Sequence, residues 1–160
     1  MHDNEAVGQL CHSKKLSEVV DGEFDLMFVA GGHGCCVDGP EMSSAVETFL
    51  FTKNKPVGVD CHGPYCLIDA KKPDGTPLVA GLDVTAFTDL EEEQAGATDW
   101  VKANAKFMEA TFVEQGANFK KADPWNSFAV TADVGETKLI SAQNPQSALA
   151  GAKACLEVLA

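Results

Sequence analysis

The chain has 160 residues, enough for one domain with a real core and hardly enough for two. Twelve Lys and Arg stand against 24 Asp and Glu, a formal charge of −12, which argues against nucleic acid or an anionic membrane as partner, because phosphate recognition needs clustered cations. Apolar residues make up 45% and charged residues 22%, ordinary for a folded chain, while the longest unbroken apolar run, residues 26–30, is too short to cross a bilayer and the polar Met-His-Asp-Asn-Glu start is unlike a signal peptide.

Strand-like and helix-like segments alternate, which predicts an α/β domain with a mainly parallel sheet. Residues 4–19 are weakly amphipathic and ambiguous between states. Residues 25–30 form an apolar run ending in Gly31-Gly32, read as a strand buried on both faces and followed by a turn. Pro40 suits a first helical position, and Met42, Ala45, Val46, Phe49 and Leu50 then recur at helical spacing. Residues 56–60 read as a second buried strand, broken sharply by Cys61-His62-Gly63-Pro64, with residues 65–70 helical and 71–76 a turn. Residues 84–87 are strand-like. Thr88-Asp-Leu-Glu91 has the form of a capping box. A longer helix is predicted over 99–115, with Val101, Ala105, Met108 and Phe112 on one face and Gly116 as its left-handed stop. Residues 119–123, 127–131 and 137–141 read as short strands, the last two a hairpin around 133–135. Asn144-Pro145 opens a final helix as N-cap and first residue, with Leu149, Ala152, Leu156 and Leu159 predicted as its buried stripe.

Six cysteines, at 11, 35, 36, 61, 66 and 155, occur in a chain too long and too apolar for a disulfide-stapled mini-fold. They read as reduced thiols in a reducing, cytoplasmic compartment. Cys11, Cys66 and Cys155 fall in apolar helical patterns and are expected in the core. Cys61 differs. It sits where a buried strand turns sharply into a helix, the layout of a nucleophile elbow, which lifts the turn side chain above the sheet. The helix start is expected to lower the thiol pKa, and the carboxyl end of a strand is where open α/β sheets bind ligands. The competing reading is a buried structural cysteine.

A thiol nucleophile needs a proton partner, and histidine is the natural one. The histidines are His2, His12, His33 and His62, so only His62 or His33 can serve Cys61, and no late histidine returns to it. Glu91, Glu92 and Glu93 follow a strand and are placed to orient that histidine, unless the run merely faces solvent at a helix start. Gly31-Gly32-His33-Gly34 lets backbone approach a ligand and offers amides to an oxyanion, but lacks the spacing of a nucleotide-binding loop. The soft ligands His33, Cys35, Cys36, Cys61, His62 and Cys66 contain no Cys-x-x-Cys pair and fit no common zinc module, so neither metal nor organic cofactor is expected.

Together these segments resemble the ThiJ/PfpI superfamily, of the class I glutamine amidotransferase-like fold, and within it the branch of glutathione-independent glyoxalases and heat-shock chaperones. The resemblance rests on Phe24-Asp-Leu-Met-Phe-Val-Ala-Gly-Gly-His-Gly34, Val59-Asp-Cys-His-Gly-Pro64, Gly75-Thr-Pro-Leu78, residues 84–93, Lys121-Ala-Asp-Pro-Trp125 and Gln143-Asn-Pro-Gln-Ser147. It implies a three-layer sandwich with a mainly parallel flavodoxin-like sheet, residues 1–160 being a single domain. It also implies Cys61 as nucleophile, His62 as its adjacent histidine and proton shuttle, and Glu92 as the acid that orients His62, with Glu91 or Glu93 as alternatives. Gly32 and His33 would line the oxyanion and substrate site. The implied reaction is methylglyoxal to D-lactate without glutathione, through a hemithioacetal on Cys61, in a cytoplasmic homodimer.

The resemblance is incomplete in two places. Family members begin with a strand–helix–strand unit that carries a Glu beside the cysteine. Nothing before Asp25 resembles that unit, so the fold is expected to be N-terminally shortened and activity is in question. Asp60 stands where the family has a small or apolar residue, and a carboxylate there is expected to raise the thiol pKa. The competing functions are a non-enzymatic stress chaperone and a thiol redox sensor. Peptidase activity is a weaker alternative, and glutamine amidotransfer is disfavoured by the absent late histidine.

Overall fold

The computed structural model describes residues 3–37 and 39–160; His2 lies outside the described residues. In chain order the helices are α1 (Asn4–Cys11), α2 (Leu16–Val19), α3 (Gly39–Glu47), α4 (Asp89–Gln94), α5 (Thr98–Asn104), α6 (Met108–Glu114) and α7 (Ala148–Leu159). The strands are β1 (Met27–Val29), β2 (Val57–Asp60), β3 (Asp83–Val84), β4 (Asn118–Phe119), β5 (Ala129–Val134) and β6 (Thr137–Ala142). A four-stranded sheet runs β1-β2-β6-β5. Its first three strands are parallel and β5 returns antiparallel through the predicted hairpin. This is the mixed α/β fold with a mostly parallel sheet that the alternation of segments predicts.

Register decides where the site lies. Val59 sits opposite both Val29 and Ser141, so β1, β2 and β6 end together. The turns after them, Gly31–Gly34, Cys61–Gly63 and Gln143–Asn144, therefore share one sheet edge, the carboxyl edge where open α/β sheets place ligands. The two faces of β2 are covered differently. Val57 and Val59 pack into the main core with Val46, Phe49 and Leu50. Gly58 faces the other way, where an added Cβ would lie 2.5 Å from Cys155 Sγ of α7 and 2.7 Å from the Phe28 ring. Helices thus cover both faces of the sheet.

Several predicted elements differ from the observed ones. Phe28 is 41% exposed, because β1 is an outer strand among the described residues and its second face is only partly covered. The helix over 99–115 is two helices, broken where Ala105 is extended at φ −148° and ψ −170°; Val101, Met108 and Phe112 still face the core. The strand at 84–87 shrinks to β3, which pairs with β4 in a separate small sheet. In place of a helix over 65–70 there is one short 3₁₀ turn, Gly63–Leu67, with 68–70 outside it. Cys66 and Cys155 are buried as expected, but Cys11 is exposed.

The largest correction concerns α7. Its predicted stripe faces outward, with Leu149 and Leu156 each 67% exposed, while Gly151 and Cys155 are buried. The helix lies close against the sheet, since a Cβ on Gly151 would be 3.0 Å from that of Ala142. Small residues admit that approach and leucines do not, so packing distance overrides the hydrophobic periodicity.

Glu91 ties the second half of the chain together. The capping box forms as predicted, with the Thr88 amide and hydroxyl donating to Glu91 Oε2 and the Glu91 amide to Thr88 Oγ1. The other oxygen, Oε1, accepts from the Trp125 amide at 2.8 Å, Asn144 Nδ2 at 2.8 Å and Gln143 Nε2 at 3.1 Å. Burial alone would raise this carboxyl, but the hydrogen bonds from Trp125, Thr88 and Asn144 outweigh it and hold it below its ordinary value. A buried acceptor with so many donors is expensive to delete: Glu91→Ala is expected to cost about 3–5 kcal/mol in urea unfolding. The folded pKa is depressed, so the unfolded chain binds the proton first. The stabilisation is present above the ordinary Glu pKa and is lost as pH falls through the folded value. Melting temperature should therefore fall on acidification, and less steeply in Glu91→Gln.

Candidate active site

The site begins with a strained backbone. Cys61 has φ 58°, a left-handed conformation that costs a residue with a Cβ about 1–3 kcal/mol. Its neighbours hold it there: the Cys61 amide donates to the Ala142 carbonyl of β6, and the Phe87 amide donates to the Cys61 carbonyl, both at 3.0 Å. The predicted elbow is thus present. The turn after β1 is built around it. A Cβ on Gly31 would lie 2.6 Å from that of Cys61, and Gly32 has φ 119°, a region that only glycine enters readily.

Three side chains form a relay. Cys61 Sγ lies 3.3 Å from His62 Nδ1, and His62 Nε2 lies 2.7 Å from Glu92 Oε1. With Nε2–H donating to the carboxylate, Nδ1 is left as acceptor for the thiol proton. Glu92 Oε2 meets His33 Nε2 at 3.2 Å, and the two imidazoles stack with centroids 4.0 Å apart. Of the three consecutive glutamates, Glu92 faces the histidines, Glu91 is engaged with Thr88, Trp125, Gln143 and Asn144, and Glu93 is exposed. Ligand-type atoms of His33, His62 and Glu92 all lie within 4.8 Å of one another. His62 and Glu92 are joined directly by the 2.7 Å bond.

Electrostatics at the sulfur run against the sequence expectation. Burial first, and then the charge of Asp60, push the Cys61 thiol up to about 12, with the amides of His62 and Gly32 opposing. The predicted lowering by a helix N-terminus fails because Cys61 leads into a single 3₁₀ turn with a small dipole. Burial also lowers the His62 pKa, opposed by its bond to Glu92, which favours a neutral imidazole able to accept a proton. Asp60, buried among these groups, is raised by desolvation to about 6.

The relay opens into a cavity of about 470 Å³ lined by Gly31, Gly32, His33, Asp60, Phe87 and Trp125, besides Cys61 and His62. Pro145 and Ala148 also line it. Sequence reasoning does not single out Trp125 as a site residue, although it lies in the Lys121–Trp125 motif. Its backbone is left-handed at φ 66°, pinned by Glu91, and its ring packs edge-on against Phe87 at 5.5 Å. Cys35 and Cys36 lie on the 3₁₀ turn His33–Cys36 and do not line the cavity. A neutral resting thiol makes a direct prediction. Iodoacetamide labelling of Cys61, followed by peptide mass spectrometry, should accelerate continuously from about pH 7 to 10; a plateau near pH 7 would contradict the raised pKa.

The model of the DJ-1/PfpI family matches residues 6–157. The glutathione-independent glyoxalase hsp3102 of Schizosaccharomyces pombe is 35% identical over 156 residues, covering 94% of this chain and 64% of that protein. Glyoxalase 3 of Candida albicans is 31% identical over 141 residues, covering 85% of this chain and 58% of that protein. The chain therefore spans less than two thirds of the length of these relatives. Among solved structures, the Rapid Encystment Protein 24 kDa of Francisella tularensis superposes with a TM-score of 0.85 at 32% identity, covering 99% of this chain and 68% of that one. Glyoxalase III from Candida albicans gives 0.74 at 30% identity, covering 84% and 57%. With the family model spanning nearly its whole length, and the elbow, relay and sheet order all in place, the chain belongs to the DJ-1/PfpI family.

Proposed function

We infer that the chain is a cysteine-dependent, glutathione-independent glyoxalase that converts methylglyoxal to D-lactate. The observation that carries the reading is the Cys61–His62–Glu92 relay opening into a cavity with one aromatic wall; relatives named glyoxalases over most of the chain support it. His62 takes the thiol proton on Nδ1 while Glu92 holds Nε2, and the thiolate adds to the aldehyde carbon. The Gly32 amide, with that of His33 beside it, supports the developing oxyanion. Proton transfer between the two substrate carbons turns the hemithioacetal into a thioester, and water releases the hydroxy acid. The redox change is internal to the substrate, so the chemistry needs no metal or organic cofactor. Phe87 and Trp125 suit the methyl group of a small 2-oxoaldehyde.

The reading includes residues 1–160 acting as one domain in a cytoplasmic homodimer, as the family resemblance implies. No helix among the described residues is long and apolar enough to cross a membrane. A redox sensor is less well supported, because oxidation follows thiolate character and burial raises the Cys61 thiol.

The purified chain should release D-lactate from methylglyoxal without glutathione, and Cys61→Ser should abolish it. Glu92→Gln, which spoils the tautomer and orientation of His62, should lower kcat about a hundredfold or more with less change in KM. Release no greater than that of Cys61→Ser would overturn the reading.

A further inference from the structure

We propose that Asp60 is the acid–base group that carries the substrate proton from the aldehyde carbon to the neighbouring carbon, leaving His62 to serve the thiol. This rests on the glyoxalase activity proposed for the same site.

The reaction needs a proton acceptor at two places, first at the thiol and then at the C–H, and the relay is oriented for the first. His62 is held by Glu92 at Nε2 and faces Sγ with Nδ1, an orientation suited to taking the thiol proton and passing it to the hemithioacetal oxygen. His33 spends Nε2 on the other Glu92 oxygen and its side chain is 41% exposed. Glu91 accepts hydrogen bonds at both oxygens. Asp60 is different. It ends β2 immediately before the nucleophile, lines the same cavity, and is 7% exposed. Its Oδ1 is buried with no hydrogen-bond partner among the described residues, while the Cys61 amide acts on the same carboxyl group. An unpaired buried carboxylate oxygen costs stability, and no Lys or Arg is among the residues lining the cavity to offset that cost. Burial brings Asp60 to about 6, near enough to neutrality for one carboxyl both to take a proton and to return it.

The step balances within the substrate. In the hemithioacetal on Cys61, Asp60 removes the hydrogen of the former aldehyde carbon. The C–H electron pair becomes a carbon–carbon double bond, and the neighbouring carbonyl oxygen takes the negative charge. Asp60 then returns the proton to that second carbon, while the hydroxyl proton of the first passes to the second oxygen. The first carbon is oxidised to a thioester and the second reduced to an alcohol, with no outside oxidant.

Asp60→Asn separates this role from a structural one. The variant removes the charge that repels the thiolate, so iodoacetamide should label Cys61 at least as fast as in the parent chain. Turnover of methylglyoxal should nevertheless fall about a hundredfold or more in kcat, with KM changed by about threefold or less. The kinetic isotope effect with aldehyde-deuterated methylglyoxal should rise. In Asp60→Ala, added formate should restore part of kcat. Asp60→Asn retaining kcat within about threefold, or turnover and labelling collapsing together in both variants without formate rescue, would overturn the inference alone. A parent chain that releases no D-lactate would overturn the glyoxalase reading and this inference with it.

Discussion

The site depends on one strained residue. Cys61 takes a left-handed backbone because β2 must end abruptly, and β6 and the segment after β3 clamp it from two sides. Strain of this kind survives only where surrounding structure over-determines it. Much of the local sequence answers to the clamp. Gly31 must lack a side chain to let the β1 turn pass the elbow, and Gly32 turns its amide towards the sulfur. Because β1, β2 and β6 end in register, the strained turn, the glycine turn and the start of α7 converge without any long loop.

Carboxylates are then divided by their partners. Glu91 and Glu92 are adjacent on one helical turn and both buried, yet they do different work. Glu91 meets amides and amide side chains and acts as a structural anchor, holding the Trp125 backbone that walls the cavity. Glu92 points the other way and meets two imidazoles. The strong acidity of the chain is thus concentrated, in part, inside it, where donors absorb it. Asp60 has no such donor at Oδ1 among the described residues, and its charge is felt by the neighbouring sulfur.

Local rules carry the sequence reading where structure is local. The capping box at Thr88, the stop at Gly116, the hairpin at 133–135 and the elbow at Cys61 each depend on a few adjacent residues, and each appears as predicted. Long-range packing is not legible in the same way. The outward leucines of α7 cannot be foreseen from periodicity, because Gly151 and Cys155 choose the face that meets the sheet. The assignment of Glu92 over its neighbours comes from the family resemblance, since three consecutive glutamates carry no directional information until the helix is docked. The thiol pKa departs from expectation for a related reason: burial and the Asp60 charge are properties of the assembled site, whereas the helix start visible in sequence is only a short 3₁₀ turn.

On the proposed glyoxalase reading, a neutral resting thiol suits reaction with an aldehyde. Thiolate nucleophilicity rises with basicity, so a sulfur with a high pKa is the stronger attacker once its proton is removed. His62, kept neutral by burial and oriented by Glu92, can remove it as the carbonyl approaches, with no standing thiolate required. The same burial withholds the sulfur from oxidants, whose attack tracks thiolate character and exposure. Desolvation therefore does two things at Cys61. It lowers the sulfur's background reactivity, and in the proposed reaction it would reserve the most nucleophilic form of the sulfur for the moment when a substrate fills the cavity above the relay.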